Sequence, residues 1–254
     1  MPLSIADMTR VEFDAQIASS AVLIPVGATE QHGPHLPLDT DQAIANAFAS
    51  ALARETGVLT APGINYGCRS HPVSGGGEFF KATISISGRT MIDVMSNIIT
   101  SYSDAGCRQF AFVNGHFENA AFLVDAAHEI VRNRDDLKVL VINWWEVAQM
   151  AVLESIFDGG FPGWEAEHAG IVETSLMMYL DGNRVHIDQI EDRLATIKAP
   201  SYTVVPERAG LVDPSGVLRT AVGSSVAIGQ GIFEHCMQQM ADILRTEFAL
   251  GQSK

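Results

Sequence analysis

The run AVLIPVG, residues 21–27, contains no charged residue and no alternation of apolar and polar positions. A strand with one solvated face alternates, whereas a strand that is buried on both faces forms a continuous apolar run. Similar runs follow at 109–114 (QFAFVN) and 138–143 (KVLVIN), and 58–62 (VLTAP) is a shorter candidate. The chain therefore needs helices on both faces of a mainly parallel sheet.

Segments of helical periodicity lie between and after these runs. Apolar residues recur every three or four positions in the following ranges: 41–56, 90–104, 118–133, 168–180 and 232–250. Strands that alternate with helices predict an α/β fold, here a three-layer α/β/α arrangement in a single domain of residues 1–254. Residues 183–223 contain proline and glycine without a clear period, so we assign no element there.

Composition and charge exclude several classes of protein. The chain is 47% hydrophobic and 18% charged, as expected of a globular protein. Its formal net charge of −14 argues against nucleic-acid binding, which needs clustered Lys and Arg. The sequence has neither a signal-peptide pattern nor the ~20 apolar residues that span a bilayer. Its three cysteines are far apart and form no CxxC pair. We therefore expect a cytoplasmic protein with no membrane partner and reduced thiols.

The first polar cluster follows the strand at 21–27. Glu30 and His32 are two residues apart, so extended backbone places both side chains on the same face. Asp41 begins the next helix, where a carboxylate is favoured by free N–H groups. Ligands of parallel sheets bind beyond the carboxyl ends of the strands, which is where this cluster lies. The alternative is a polar loop in which Asp41 only caps the helix.

A second cluster, NGHFEN, follows the strand at 109–114 and contributes His116 and Glu118. Its alternative interpretation is a turn with a helix cap. The two clusters together hold two imidazoles and three carboxylates, a mixed N/O set that suits Zn²⁺ or Mn²⁺. Five ligands are too many for one open catalytic zinc but suit two metals that share a bridging carboxylate.

A third cluster lies in GWEAEHAGIVETS, residues 163–175. His168 could be a general acid or base, or simply a surface histidine. Glu173 could orient a metal ligand or lie on a solvated helix face. Two further features are compatible with a binding site. The triple glycine of VSGGGEFF (73–80) predicts either close approach of backbone to a ligand or a flexible turn. Trp144 and Trp145 could form the wall of a pocket or belong to the core.

The motifs EQHGPHLPLDTD, NGHFEN and EHAGIVETS, in this order and spacing, resemble those of the creatininase family, the creatinine amidohydrolases. The resemblance covers the chain to about residue 180 and is weaker beyond it. The GHFEN form is similar to the creatinine-hydrolysing members more than to members with a Gly-Gly-Asn version. The resemblance implies two Zn²⁺ or Mn²⁺ ions, with Glu30 and His116 on one, His32 and Glu118 on the other, and Asp41 bridging both.

The resemblance also implies the reaction, in which two metals activate water to hydrolyse creatinine reversibly to creatine. His168 would transfer the proton, and the carboxylate of Glu118 would be a second catalytic group. The resemblance also implies a homohexamer. The implied substrate-binding residues are Trp145, Trp164, Glu165, Ser74, Gly75, Gly76 and Phe117.

Two departures from the family pattern concern the substrate. Phe79 stands where the family usually has histidine, followed by Lys81, and Phe117 stands where tyrosine is expected. Both phenylalanines remove a polar group near the implied pocket, so a related cyclic amide could be the substrate instead. The residues are also compatible with a deformylase or peptide-processing member of the family, with a metal hydrolase on a (β/α)₈ barrel, and with a metal-binding protein without activity.

Overall fold

A computed structural model describes residues 3–132, 134–157, 159–192, 197 and 201–251. The strands described are β1 Val22–Val26, β2 Leu59–Thr60, β3 Gln109–Asn114 and β4 Lys138–Asn143. They form one parallel sheet in the order β2-β1-β3-β4. Val26 pairs with Asn114, and Asn114 pairs with Asn143, so the carboxyl ends of three strands lie side by side.

The α-helices described are α1 Arg10–Gln16, α2 Thr40–Thr56, α3 Gly88–Asp104, α4 Asn119–Val131, α5 Met150–Glu154, α6 Ile171–Asp181 and α7 Val226–Glu247. The five predicted helices are present, with two displaced starts. Helix α6 begins three residues later than predicted, after a turn in which Ala169 has a φ of 52°. Helix α7 begins six residues earlier, because the Ser225 side chain accepts from the Ile228 N–H and caps it. The short helices α1 and α5 were not predicted.

The sheet separates two hydrophobic cores. Leu23 and Val113 point to one face and pack with buried residues of α2, α6 and α7. Ile24 and Phe112, their neighbours along the strands, point to the other face and pack with residues of α3 and α4. Successive strand residues thus enter opposite cores, as the unbroken apolar runs required. The three-layer α/β/α prediction is confirmed, and the (β/α)₈ barrel is wrong because the described strands form an open sheet.

The segment left unassigned, 183–223, begins within the 3₁₀ turn Gly182–Arg184 and contains a second one, Ile187–Gln189, where it is described. It crosses the carboxyl edge of the sheet, since the Gly216 carbonyl accepts a hydrogen bond from Gln31. Glu207 pairs with His71 at 2.9 Å on the rim of the same region. Among the described residues, none of the helices has the length and apolar character to cross a membrane.

Candidate functional site

Asp41 lies at the centre of a buried cluster of acids and histidines. It sits in the first turn of α2, directly beyond the carboxyl end of β1. Its Oδ1 is 3.1 Å from His32 Nε2, and its Oδ2 is 3.0 Å from His116 Nδ1. Glu30 Oε1 is 3.3 Å from the same Nδ1 of His116. The two sequence clusters, some 80 residues apart, thus meet through one carboxylate.

The second nitrogen of each histidine ring faces a backbone carbonyl. His32 Nδ1 is 3.2 Å from the Glu30 carbonyl oxygen, and His116 Nε2 is 3.0 Å from that of Cys68. Carbonyls accept only, so these nitrogens carry the protons, and the nitrogens that face the carboxylates have free lone pairs when the rings are neutral. Metal-binding histidines are oriented in this way.

The donor atoms fit a pair of metal ions. Three groups of side chains each offer ligand atoms within 4.8 Å of one another: Glu30, Asp41 and His116; His32, Asp41 and Glu173; and Glu30, His32 and His168. Glu30 Oε2 has no hydrogen-bond partner among the described residues, and Asp41 Oδ2 lacks the alignment of a hydrogen bond. Buried carboxylate oxygens without partners are costly, and cations would satisfy them.

Glu173 and Glu118 take different places from those that the resemblance implies. Glu173, in the first turn of α6, brings Oε2 to 3.8 Å from His32 Nε2. Glu118 lies instead on the Nε2 side of His116, at 3.4 Å, where it accepts from the Ser74 hydroxyl and the His71 N–H. The resemblance pairs His32 with Glu118, whereas the geometry groups His32 with Glu173.

Protonation of His32 and His116 offsets part of the negative charge of the surrounding carboxylates. Burial alone would lower the pKa of His32, but the carboxylate of Asp41, followed by that of Glu173, raises it to about 10. Burial is likewise outweighed at His116, where Glu30 raises the pKa well above its usual value. Both histidines must lose these protons when they bind a metal, so protons and metal compete for the site.

His168 lies against this cluster and is buried. Its ring centroid is 4.4 Å from that of His32, and its Nδ1 is 3.8 Å from Glu30 Oε1. Burial, followed by the charge of His32, lowers the pKa of His168 to about 4. Gly75 has a φ of +90°, and a Cβ there would come within 2.7–2.9 Å of the His168 side chain. The triple glycine therefore permits close approach of backbone to this histidine.

An aromatic wall faces the acids and histidines across a cavity at this edge of the sheet. Trp144, Trp145, Trp164 and Phe117 line it. The Trp144 ring makes edge contacts with Trp145 at 6.1 Å and Trp164 at 5.4 Å. The complete lining comprises Glu30, Asp41, Ser74, Gly115, His116, Phe117, Glu118, Trp144, Trp145, Trp164, Glu167, His168 and Glu173.

Some expected substrate contacts lie elsewhere. Glu165 is exposed on a 3₁₀ turn and is not in the lining, whereas Glu167 is buried and accepts from the Val172 N–H at the start of α6. Ser74 lines the cavity, but Gly75 and Gly76 lie outside that lining.

The two departures from the family pattern also differ in position. Phe79 is half-buried and packs on Phe80 at 4.6 Å, outside the cavity lining. Lys81 is exposed. Only Phe117 of these residues forms part of the wall.

His35 and Asp39, to which the sequence assigned no role, join this loop to α6 and its C-terminal side. His35 Nε2 lies 2.9 Å from the Thr174 hydroxyl, and Asp39 pairs with Arg184. The sequence leaves two interpretations open for Trp144 and for Glu173, and the structure places Trp144 in the cavity lining and Glu173 beside His32. The sequence assigns no role to Glu167, whose only signal is its place in the third cluster.

Comparison with known proteins supports the chemistry of this site. The family model for creatininase, described as creatinine amidohydrolase, matches residues 6–244. The chain is 34% identical to a creatinine amidohydrolase of Pseudomonas putida, over 96% of both chains. It is 32% identical to a mycofactocin precursor peptide peptidase of Mycobacterium ulcerans, over 87% of this chain and 84% of that one.

Solved structures agree in fold. Two mutant creatininases, one complexed with creatine and one of Zn-Zn type, match with a TM-score of 0.93 at 33% identity, over 98% of this chain and 99% of theirs. A creatininase described with Mn matches with a TM-score of 0.92 at 34% identity and the same coverage. Zn and Mn forms are among these structures, and in this chain acids and histidines are grouped closely enough to hold metal ions. The chain belongs to the creatininase family and is a metal-dependent amidohydrolase.

Proposed function

We propose that this enzyme opens a small cyclic amide, and that its substrate is creatinine, hydrolysed reversibly to creatine. The observation that carries the proposal is the aromatic wall of Trp144, Trp145 and Trp164 facing the acid and histidine cluster. Indole rings bind a flat, partly apolar ring well, and the opposite side of the cavity holds the groups that hydrolysis needs. The identity to a creatinine amidohydrolase over 96% of both chains adds support.

The metal ligands we propose follow the two of the three donor groups that share Asp41, and the third group, which contains His168, supplies the proton-transfer residue. Glu30, Asp41 and His116 would hold one ion, and His32, Asp41 and Glu173 would hold the other, with Asp41 shared. Two such ions would supply Lewis acidity for activating water and polarising the amide carbonyl. This assignment gives Glu173 the ligand position that the resemblance gives to Glu118.

His168 and Glu118 would handle the protons. Burial lowers the pKa of His168 and so favours its neutral ring, and a neutral imidazole can take a proton from the attacking water and pass it to the leaving ring nitrogen. Glu118 is held by the Ser74 hydroxyl and the His71 N–H at the edge of the cavity. These two hydrogen bonds fix the Glu118 carboxylate in place, which suits a second proton acceptor.

A second candidate is another amide hydrolase reaction of the same family, on a different lactam, a formamide or a peptide. The observation that favours it is Phe117, which is 42% exposed and offers the ring of a substrate no hydrogen bond. The relative described as a mycofactocin precursor peptide peptidase shows how far substrates diverge at about this identity.

A substrate panel on protein of known zinc and manganese content separates the two. Creatinine, creatine, hydantoins, other small lactams, formamides and a short peptide would be compared at matched enzyme concentration. We expect creatinine and creatine to interconvert fastest and His168→Asn to keep its metal while losing most turnover. No turnover of creatinine at full metal occupancy, with turnover of another amide, would move the assignment to the second candidate.

We also propose a cytoplasmic homohexamer. The three cysteines are buried and free, which suits a reducing compartment. The hexamer rests on the family resemblance, and the exposed edge of β4 offers one surface for contact. Light scattering on a sizing column would measure the mass, and a monomeric mass at micromolar concentration would contradict the proposal.

A further inference from the structure

Gln31 is a buried glutamine whose side chain joins three loops around His168. Its Nε2 is 3.0 Å from the Gly75 carbonyl oxygen and 3.0 Å from that of Gly216. Its Oε1 accepts from the Gly33 N–H at 2.9 Å. An amide has two N–H donors and one acceptor atom, so these three contacts use all of them. The opposite orientation of the amide would place an oxygen against two carbonyl oxygens.

The same residue faces the His168 ring with two different groups. His168 Nε2 lies 2.9 Å from the Gln31 backbone oxygen and 3.0 Å from its side-chain Nε2. The backbone oxygen can only accept, and both side-chain N–H groups are directed to glycine carbonyls. His168 Nε2 must therefore carry a proton and donate it to the Gln31 backbone. The remaining nitrogen, Nδ1, is then unprotonated and faces the cluster, 3.8 Å from Glu30 Oε1.

The glycines in the two joined loops make this arrangement possible. A Cβ at Gly216 would lie 1.8–2.6 Å from the Gln31 amide, and one at Gly75 would lie 2.7–2.9 Å from the His168 side chain. The two loops thus enclose the amide and the imidazole at distances that no larger residue allows. Gln31 is itself 7% exposed, so water does not compete freely for its hydrogen bonds.

We propose that Gln31 is a positioning residue that holds His168 as the Nε2–H tautomer, so that the catalytic proton is exchanged at Nδ1. The step rests on the proposed function: the attacking water loses a proton to Nδ1, and Nδ1 gives it to the leaving ring nitrogen. Nε2 keeps its proton throughout and donates it in a hydrogen bond to the Gln31 carbonyl. The side-chain amide acts by fixing the loops that keep the Gln31 carbonyl within hydrogen-bonding distance of the His168 ring.

The tautomer can be read without turnover. Zinc-loaded protein labelled with ¹⁵N-histidine would be examined by NMR, with His168→Asn identifying the His168 signals among those of eight histidines. We expect a protonated Nε2 whose N–H is protected from exchange and an unprotonated Nδ1. A protonated Nδ1 with an unprotonated Nε2 in wild-type protein overturns the proposal, even if every variant fails to fold.

Gln31→Met tests the positioning role, because it keeps the length of the side chain and removes its hydrogen bonds. We expect kcat to fall by about 10- to 100-fold, the range for residues that orient active groups, with KM and metal content nearly unchanged. The protection of the His168 Nε2 proton should be lost. Gln109→Met is the matched control, since among the described residues the Gln109 side chain donates to the Phe248 carbonyl, far from His168 at the other end of β3. It should change neither kcat nor the His168 signals.

The outcomes separate this inference from the proposed function. If wild-type protein hydrolyses no amide while the Nε2–H tautomer is observed, the proposed function fails and the arrangement of Gln31 and His168 stands. If wild-type protein turns over and Gln31→Met retains kcat with a protected Nε2 proton, the positioning role is refuted and the proposed function stands.

Discussion

Replacing Gly75 with alanine tests whether the position of His168 limits turnover. The new Cβ would lie 2.7 Å from the His168 Cβ, whereas ordinary contacts begin at 3.4 Å, so the side chain or the loop must move by about 0.7 Å. Misplacement of a reacting group by about 1 Å can cost about 100-fold in rate. We therefore expect kcat for the ring-opening reaction to fall by about 10- to 100-fold.

Gly57→Ala is the matched control for backbone strain. Gly57 ends α2 with a φ of +77°, close to the +90° of Gly75, but a Cβ there would meet nothing within 4 Å. Both variants should lose about 1–2 kcal/mol of stability from the left-handed backbone. Only Gly75→Ala should lose activity.

The assay combines thermal unfolding, metal analysis and steady-state kinetics on the best substrate of the panel. At this chain length, about 1 kcal/mol corresponds to a fall of about 2–4 °C in Tm, so both variants remain folded at 25 °C. Equal kcat values for Gly75→Ala and Gly57→Ala, with equal metal content, would refute the reasoning. Either His168 would not be the proton-transfer group, or the loop would adjust without moving it.

Three further predictions follow from the site. Glu173→Gln should lower metal content by about half, because it removes a ligand from one ion only; full metal content by atomic absorption would contradict the ligand assignment. Zinc affinity should weaken as pH falls, by about tenfold per pH unit for each proton displaced. The reason is that the raised pKa of His32, about 10, keeps that ring protonated below this pH when no metal is bound. A calorimetric titration in buffers of different ionisation enthalpy should show proton release, and pH-independent binding without release would contradict the prediction. Trp144→Phe removes an indole N–H that has no hydrogen-bond partner among the described residues. If this N–H binds substrate, KM should rise about fivefold, the effect of one hydrogen bond of about 1 kcal/mol, while kcat stays nearly unchanged. An unchanged KM would exclude the contact.

The sequence predicts the layers of this fold well because the signal is local. A short unbroken apolar run such as 21–27 is typical of a strand covered on both faces, and α2 follows from its own periodicity. The displaced start of α7 has a local cause as well, since the Ser225 cap extends the helix beyond the apolar pattern. The short helices α1 and α5 escape prediction because few residues give a weak period.

The residues of the candidate site also differ in whether their signal is local in the sequence. Glu30, His32, Asp41 and His116 stand out in the sequence because acids and histidines are dense directly after apolar strands, and the register of β1 with β3 brings them together. Which second carboxylate approaches His32 is a matter of distance between elements far apart in the chain.

The sequence by itself determined the parallel three-layer fold, the edge of the sheet where the ligands gather and the family to which the chain belongs. These depend on residue types at short spacing, and short spacing is what a sequence displays. Only the tertiary structure decided that Glu173 rather than Glu118 faces His32, that Glu165 points to solvent while Glu167 is buried, and that Gln31 holds His168. Those outcomes depend on how α6 and the loops pack across the sheet edge, and packing of distant segments leaves no period in the sequence.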